Sequence, residues 1–292
     1  MKTLVIREQG VLAELEVHTF GSGKPHVFFT AGVHGNEVSG IFVARRLIDF
    51  FTENPPLKGT VSIIPTVNTT AFRCMQRRNP FDGLDLNRVF PGDPEGSFAL
   101  RLADIVYQET ADADIVVDLH CCGQHGLPYI LSIYTESEKV RQMVQRITMP
   151  IALRSEGTPG QLFTESTRNR DQAACVIELP SGAGSGVVNL PVADLCFAGL
   201  MDLLRSEGMV EGDVQGQPPK FYGPLQEIYA PCAGLWMPAV KRGEPLTAGQ
   251  VVGTVDGKPV LAPADGMAMS VFPCRYLMPD DLWVMMYLQP EV

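Results

Sequence analysis

The 292-residue sequence predicts an α/β fold, a mostly parallel or mixed sheet flanked by helices, followed by a small all-β domain. Two observations predict the larger part. Short apolar, β-branched runs alternate with amphipathic segments of helical period, and such alternation builds strand–helix–strand units around a sheet covered on both faces. The apolar run His26 to Thr30 is followed at once by a Gly-rich turn and a helix, the usual start of such a unit. A third observation predicts the smaller part. Beyond Gln215-Gly216-Gln217-Pro218-Pro219 the helical period is lost, and short apolar runs separated by Gly and Pro replace it. The boundaries placed on this basis are 1–219 and 220–292.

Taken in order, residues 1 to 20 alternate weakly and predict strands at a sheet edge. Gly21-Ser22-Gly23 is a turn, and His26 to Thr30 the first buried strand. Val38 to Phe51 is a helix whose apolar face carries Ile41, Phe42, Leu47, Ile48 and Phe51, ending before Asn54-Pro55-Pro56. Thr60 to Val67 is a strand. Asn68 to Pro94 is polar and turn-rich, and a loop this long inside a compact domain is usually functional. Asp93-Pro94 predicts a helix start, with Pro at the first helical position, running to about Glu109. Asp114 to His120 and Pro128 to Tyr134 are strands, Glu136 to Ile147 a helix, Ala174 to Leu179 a strand and Leu190 to Ser206 a helix. In the tail, Tyr229-Ala230-Pro231-Cys232-Ala233-Gly234 resembles Leu261-Ala262-Pro263-Ala264-Asp265-Gly266, which predicts two pseudo-symmetric halves.

Composition narrows the class of function. A formal net charge of −10 argues against nucleic acid and anionic membrane surfaces as partners. The seven cysteines follow no disulfide spacing, Cys121 and Cys122 are adjacent, and no CxxC pair occurs, so reduced thiols and a cytoplasmic setting are expected. Met1 to Gly10 lacks the apolar core of a signal peptide, and no apolar run reaches the length of a membrane span.

The chemistry is concentrated at predicted strand ends, where open α/β sheets place their ligands. His34 and Glu37 lie in Gly32-Val33-His34-Gly35-Asn36-Glu37, on the turn after the first buried strand, and can converge on one metal ion. His120 ends Val116-Val117-Asp118-Leu119-His120 and is the candidate third ligand. Asp118, on the same strand face, is placed to orient an imidazole. Two His and one Glu form a common catalytic zinc set with one position left for water. Glu178 ends another buried strand, where a carboxylate is costly unless paired or used, and is the candidate general base. Arg77, Arg78 and Arg88 stand on the long loop, where guanidinium groups can fork a carboxylate or polarise a carbonyl. His18, His26 and His125 have no comparable setting.

As a set, His34-Gly35-Asn36-Glu37, Asp85-Leu86-Asn87-Arg88, Asp118-Leu119-His120 and Glu178 resemble the succinylglutamate desuccinylase/aspartoacylase family, zinc enzymes related to metallocarboxypeptidases. The resemblance spans roughly residues 26 to 205. It implies a carboxypeptidase-like fold and one Zn2+ per chain held by His34, Glu37 and His120. It implies that Glu178 activates water and protonates the leaving amine, and that Asn87 and Arg88 bind a substrate carboxylate. Arg77 resembles the arginine that polarises the scissile carbonyl, with Arg78 the rival. Arg168, ten residues before Glu178, matches the offset of a further substrate-binding arginine, with Arg170 as plausible. The tail resembles the barrel-sandwich fold of biotinyl and lipoyl domains. Lys241 and Lys258 lack the Met-Lys-Met flank of a modified lysine, so an unmodified unit is expected, one that walls the active-site mouth or serves packing and oligomer contacts.

These readings converge on a zinc-dependent deacylase for a small N-acyl amino acid or related carboxylate-bearing amide, an amidohydrolase acting on C–N bonds other than peptide bonds. The expected partner is that small-molecule substrate, and assembly into a homo-oligomer stays open. The alternatives are a metallocarboxypeptidase and a non-catalytic binding protein on a hydrolase scaffold.

Overall fold

The computed structural model describes residues 1–8, 10–181 and 186–291. Two compact units emerge. The first comprises residues 1–122 and 128–220; the second comprises residues 221–292 together with the short segment 123–127.

In the first unit the strands are β1 (Lys2–Glu8), β2 (Val11–Ser22), β3 (His26–Ala31), β4 (Gly59–Ile64), β5 (Ile115–His120), β6 (Tyr129–Ser132), β7 (Ile151–Arg154) and β8 (Ala173–Glu178). The helices are α1 (Val38–Glu53), α2 (Thr69–Arg73), α3 (Phe98–Glu109), α4 (Glu138–Arg146), α5 (Leu162–Arg170) and α6 (Leu190–Ser206). The sheet order is β1-β2-β4-β3-β5-β8-β6-β7, and Lys220 begins a short final strand, β9 (Lys220–Tyr222), beside β7. The sheet is mixed. Its centre, β4-β3-β5-β8, is parallel, as is the β6-β7 pair, whereas β1 with β2, β2 with β4 and β6 with β8 are antiparallel.

The central strands are apolar on both faces because both are covered. Helices α1, α4 and α6 pack on one face: Gly40 of α1 lies so close to β5 that a Cβ there would come within 2.6 Å of the Leu119 carbonyl oxygen. The other face meets α3 and α5, where Phe28, Val116, Ala174 and Val176 share a core with Phe98, Leu102, Leu162 and Phe163. Helix α3 begins later than Asp93-Pro94 suggests. Asp93 instead closes a turn, accepting the Glu95 N–H, and the helix starts after Ser97. Its cap comes from a distant residue, as Asp82 Oδ2 accepts both Ser97 Oγ–H and Ala99 N–H at 2.8 Å. Helices α2 and α5 and strand β7 are additions to the predicted set, α2 lying at the start of the long loop. No helix among the described residues is long and apolar enough to cross a membrane.

The second unit is all β. Its strands are β10 (Gln226–Tyr229), β11 (Gly234–Pro238), β12 (Pro245–Leu246), β13 (Val251–Val255), β14 (Lys258–Leu261), β15 (Gly266–Val271), β16 (Arg275–Leu277) and β17 (Trp283–Leu288). They form two antiparallel sheets, β10-β17-β15-β12 and β14-β13-β11-β16. Exchanging β10–β13 for β14–β17 converts the first order into the second, so the unit has an internal pseudo-twofold. The repeated Ala-Pro segments serve equivalent turns, β10 to β11 and β14 to β15. Trp236, fully buried, fills the core between the sheets and donates its indole N–H to the Phe272 carbonyl at 3.0 Å. Gly253 makes room for it, since a Cβ there would meet the indole at 2.2 Å. Trp236→Ala is expected to lower stability by about 3–5 kcal/mol, the cost of emptying a large aromatic site; chemical denaturation of the purified variant measures it.

Candidate metal centre and hydrolytic site

Parallel strands β3, β5 and β8 end at the same rim of the sheet, and the predicted site residues meet there. His34 and Glu37 occupy the turn after β3, with the Glu37 N–H bonded to the His34 carbonyl at 3.2 Å before α1 begins. Gly35 is required at its position. A Cβ there would fall 2.1 Å from the backbone of Ala71 and Phe72, against which the turn is pressed. His120 is the last residue of β5 and Glu178 the last of β8, paired in register.

One donor atom each from His34, Glu37 and His120 lies within 4.8 Å of the others, and all three residues are buried. His34 Nδ1 is 2.8 Å from Glu37 Oε1, His120 Nδ1 is 3.0 Å from Glu37 Oε2, and the two Nδ1 atoms are 3.1 Å apart. Both imidazoles therefore turn Nδ1 inward. Each outward Nε2 meets a carboxylate, Asp85 Oδ1 at 2.9 Å for His34 and Asp118 Oδ2 at 2.6 Å for His120. Donation from Nε2 fixes the tautomer with its lone pair on Nδ1, the arrangement of histidines that ligate metals. Asp118 is itself held by Thr30, whose hydroxyl donates at 2.7 Å.

The electrostatics fit a cation at the centre. Burial opposes ionisation of Glu37, but the charge and hydrogen bonds of His120 and then His34 outweigh it and hold this carboxyl well below its usual range. Burial likewise opposes ionisation of Asp85, and His34, with help from Arg77, reverses that effect. Burial would lower the pKa of His120, yet Asp118 and Glu37 raise it well above the ordinary value. The buried carboxylates thus demand positive charge between them. A divalent ion held by two imidazoles and one carboxylate would supply it, and this donor set suits zinc.

Glu178 stands beside this cluster without joining it. Its Oε2 atom is buried and has no hydrogen-bond partner in the structure. Burial pushes its carboxyl up to about 7; His120, His34 and Arg77 oppose the shift and Glu37 adds to it.

The arginines separate clearly. Arg77 reaches the cluster, donating to Glu37 Oε1 at 3.1 Å and to Asp85 Oδ2 at 3.2 Å. Arg78, its rival in the sequence, donates instead to the loop carbonyl of Gly83. Asn87 is buried, and its Oδ1 accepts the Leu162 N–H at 3.1 Å, which leaves the amide nitrogen as the group to offer a ligand. Arg88 is exposed and donates to the Asn87 carbonyl at 2.7 Å. Arg168 is not brought to the cluster: on α5 its guanidinium bonds Glu136 at 2.7 and 3.0 Å and the carbonyls of Glu156 and Gly157. In the sequence Asp85 stands out only as part of the Asp85-Leu86-Asn87-Arg88 motif. Its role as the partner of His34 depends on a contact 51 residues away along the chain, which spacing does not reveal.

Residues 23–194 match the family model described as the succinylglutamate desuccinylase/aspartoacylase catalytic domain. The chain belongs to this family. A curated relative, the N-alpha-acetyl-L-2,4-diaminobutyric acid deacetylase of Halomonas elongata, is 29% identical over 258 residues, covering 84% of this chain and 74% of its own length. Among solved structures, a succinylglutamate desuccinylase/aspartoacylase from Rhodobacter sphaeroides superposes with a TM-score of 0.81 at 23% identity, over 99% of this chain and 94% of the other. An aspartoacylase family protein from Mesorhizobium loti gives 0.80 at 22% identity, over 99% and 94%. The product-bound ectoine utilization protein EutE (DoeB) of Ruegeria pomeroyi gives 0.79 at 22%, over 97% and 93%. These three likenesses show that the family's fold extends over nearly the whole chain.

If the two aspartates orient the ligand imidazoles, Asp85→Ala and Asp118→Ala each weaken metal binding about 10–100-fold without removing a ligand. Chelator competition on the purified variants gives the affinities, and unaltered affinity would contradict the assignment.

Proposed function

We propose that this chain is a zinc-dependent deacylase that hydrolyses the amide bond of a small N-acyl amino acid. One observation carries the reading: two inward-facing imidazole nitrogens and a carboxylate converge within 4.8 Å, next to a buried, unpaired glutamate oxygen. His34, Glu37 and His120 would hold the zinc ion, which when bound polarises a carbonyl and acidifies water. Glu178 takes the proton of the attacking water and returns it to the departing amine, a double task suited to a carboxyl whose pKa lies near the working pH. Arg77, half exposed at the rim and already among carboxylates, donates to the carbonyl oxygen as negative charge develops there.

The Asn87 amide and the Arg88 guanidinium clasp a carboxylate of the substrate, which favours an acidic or zwitterionic small molecule over a neutral one. The name of the Halomonas elongata relative makes an N-acetylated diamino acid the first substrate to try.

Metal analysis of the purified protein, paired with amine release from N-acetyl, N-succinyl and N-formyl amino acids, tests the reading. About one zinc per chain and release from at least one panel member are expected. Glu178→Gln should lower kcat about 10²–10⁴-fold while zinc content stays the same. A metal-free protein after reconstitution would refute the role of His34, Glu37 and His120. Zinc without release, combined with cleavage of peptides, would favour the carboxypeptidase alternative.

Arg88→Ala separates binding from chemistry. It should raise KM about tenfold or more for a carboxylate-bearing substrate, the scale of one charge-assisted hydrogen bond, and change kcat much less.

A further inference from the structure

The short helix α2 is bonded to two separate parts of the site. On one side lies the metal turn. Asn68, which caps α2, donates its N–H to the Gly32 carbonyl at 2.9 Å, and the turn at Gly35 is pressed against Ala71 and Phe72. On the other side lies the arginine loop. The Gln76 N–H donates to the Ala71 carbonyl at 2.9 Å, immediately before Arg77. Two residues after Arg77, Asn79 turns its side chain back to the same element, with Nδ2 3.2 Å from both Asn68 Oδ1 and Thr70 Oγ1. The backbone that carries Arg77 is therefore tied to α2 before and after it.

Asn79 is 1% exposed, and its polar groups are all engaged. The Phe81 N–H donates to its Oδ1 at 2.9 Å, which fixes the orientation of the amide and leaves Nδ2 for the two acceptors. Its own N–H donates to the Leu84 carbonyl at 3.0 Å, and its carbonyl accepts the Gly83 N–H at 2.9 Å. Asn68 and Thr70 are buried too, and Asn68 Oδ1 also accepts the Thr70 hydroxyl at 3.0 Å and the Ala71 N–H at 3.2 Å. Such a network holds one arrangement of the segments it joins, because a shift of the loop would leave buried polar groups unpaired.

We propose that Asn79, through Asn68 and Thr70, is a positioning residue for Arg77. It sets the guanidinium in a fixed relation to the metal turn, where the carbonyl oxygen of the substrate arrives. The inference rests on the reading of Arg77 as the donor to that oxygen. Asn79 itself is buried beneath the loop, touches no substrate and moves no proton.

Asn79→Ser keeps a hydroxyl that can accept the Phe81 N–H and loses the reach to Asn68 and Thr70. In the zinc-loaded enzyme it should lower kcat about tenfold, with KM within about twofold and zinc content unchanged. Arg77→Ala should lower kcat about 10²–10³-fold, the cost of one oxyanion donor. The double variant decides between positioning and a general structural role. If Asn79 acts through Arg77, Asn79→Ser costs no further activity in the Arg77→Ala background; losses that multiply overturn the proposal. So does an unchanged kcat in Asn79→Ser. Should that variant fail to fold, Thr70→Val removes one acceptor at nearly constant shape and runs the same cycle, with an expected loss of about two- to tenfold.

A spectroscopic readout needs no turnover. The Arg77 Nε–H donates to Asp85 Oδ2 at 3.2 Å, and its resonance is the one missing from Arg77→Lys. Asn79→Ser should move that resonance toward the position of a free arginine and speed its exchange with water; an unmoved resonance contradicts the positioning role. A wild-type enzyme inactive on every panel substrate, or an Arg77→Ala variant with full activity, would sink the reading of the site, while this signal would still decide whether Asn79 holds Arg77 in place.

Discussion

Parallel hydrogen bonding between β3, β5 and β8 holds the site together. Ala31 lies beside Leu119, and His120 beside Glu178, so the chain leaves all three strands at the same height. A strand that slipped by one residue would turn His120 to the opposite face, toward α1, and carry Glu178 out of line with it. The core resists such a slip because Phe28, Val116, Ala174 and Val176 alternate with the site residues on the same face and are locked among α3 and α5. Packing energy spent on an ordinary apolar core is thus what aligns the polar groups above it.

The cluster itself is a concentration of buried charge that this scaffold makes tolerable. Glu37, Asp85 and Asp118 surround two imidazoles, and each carboxylate has a partner: Cys121 N–H and Arg77 for Glu37, Asn87 N–H and Arg77 for Asp85, Thr30 for Asp118. An unpaired carboxylate at such depth would cost several kcal/mol. Glu178, whose buried Oε2 lacks a donor, is the group whose proton affinity is left high. The contrast between fully paired carboxylates and one partly unpaired neighbour divides holding from reacting within a single site.

The second unit follows a different logic. Its two sheets interchange under the internal pseudo-twofold, and one indole, Trp236, occupies the interior where the halves meet. Lys258 lies just after a tight turn formed by Asp256 and Gly257, with its ammonium near Cys232 Sγ at 3.9 Å.

Local chemistry was enough to read much of this protein from its sequence. The turn carrying His34 and Glu37, the strands ending in His120 and Glu178, and the loss of helical period after residue 215 are all short-range patterns. Each is dictated by side-chain periodicity or by a glycine that only a close backbone approach explains, as at Gly35. Tertiary structure alone decided the rest. Helix α3 takes its cap from Asp82 rather than from Asp93, Arg77 rather than Arg78 turns to the cluster, and Asp85 becomes the partner of His34. Each of these depends on which distant segment the fold brings alongside, and strand pairing and loop packing are set by burial of the whole core, not by the residues next in sequence.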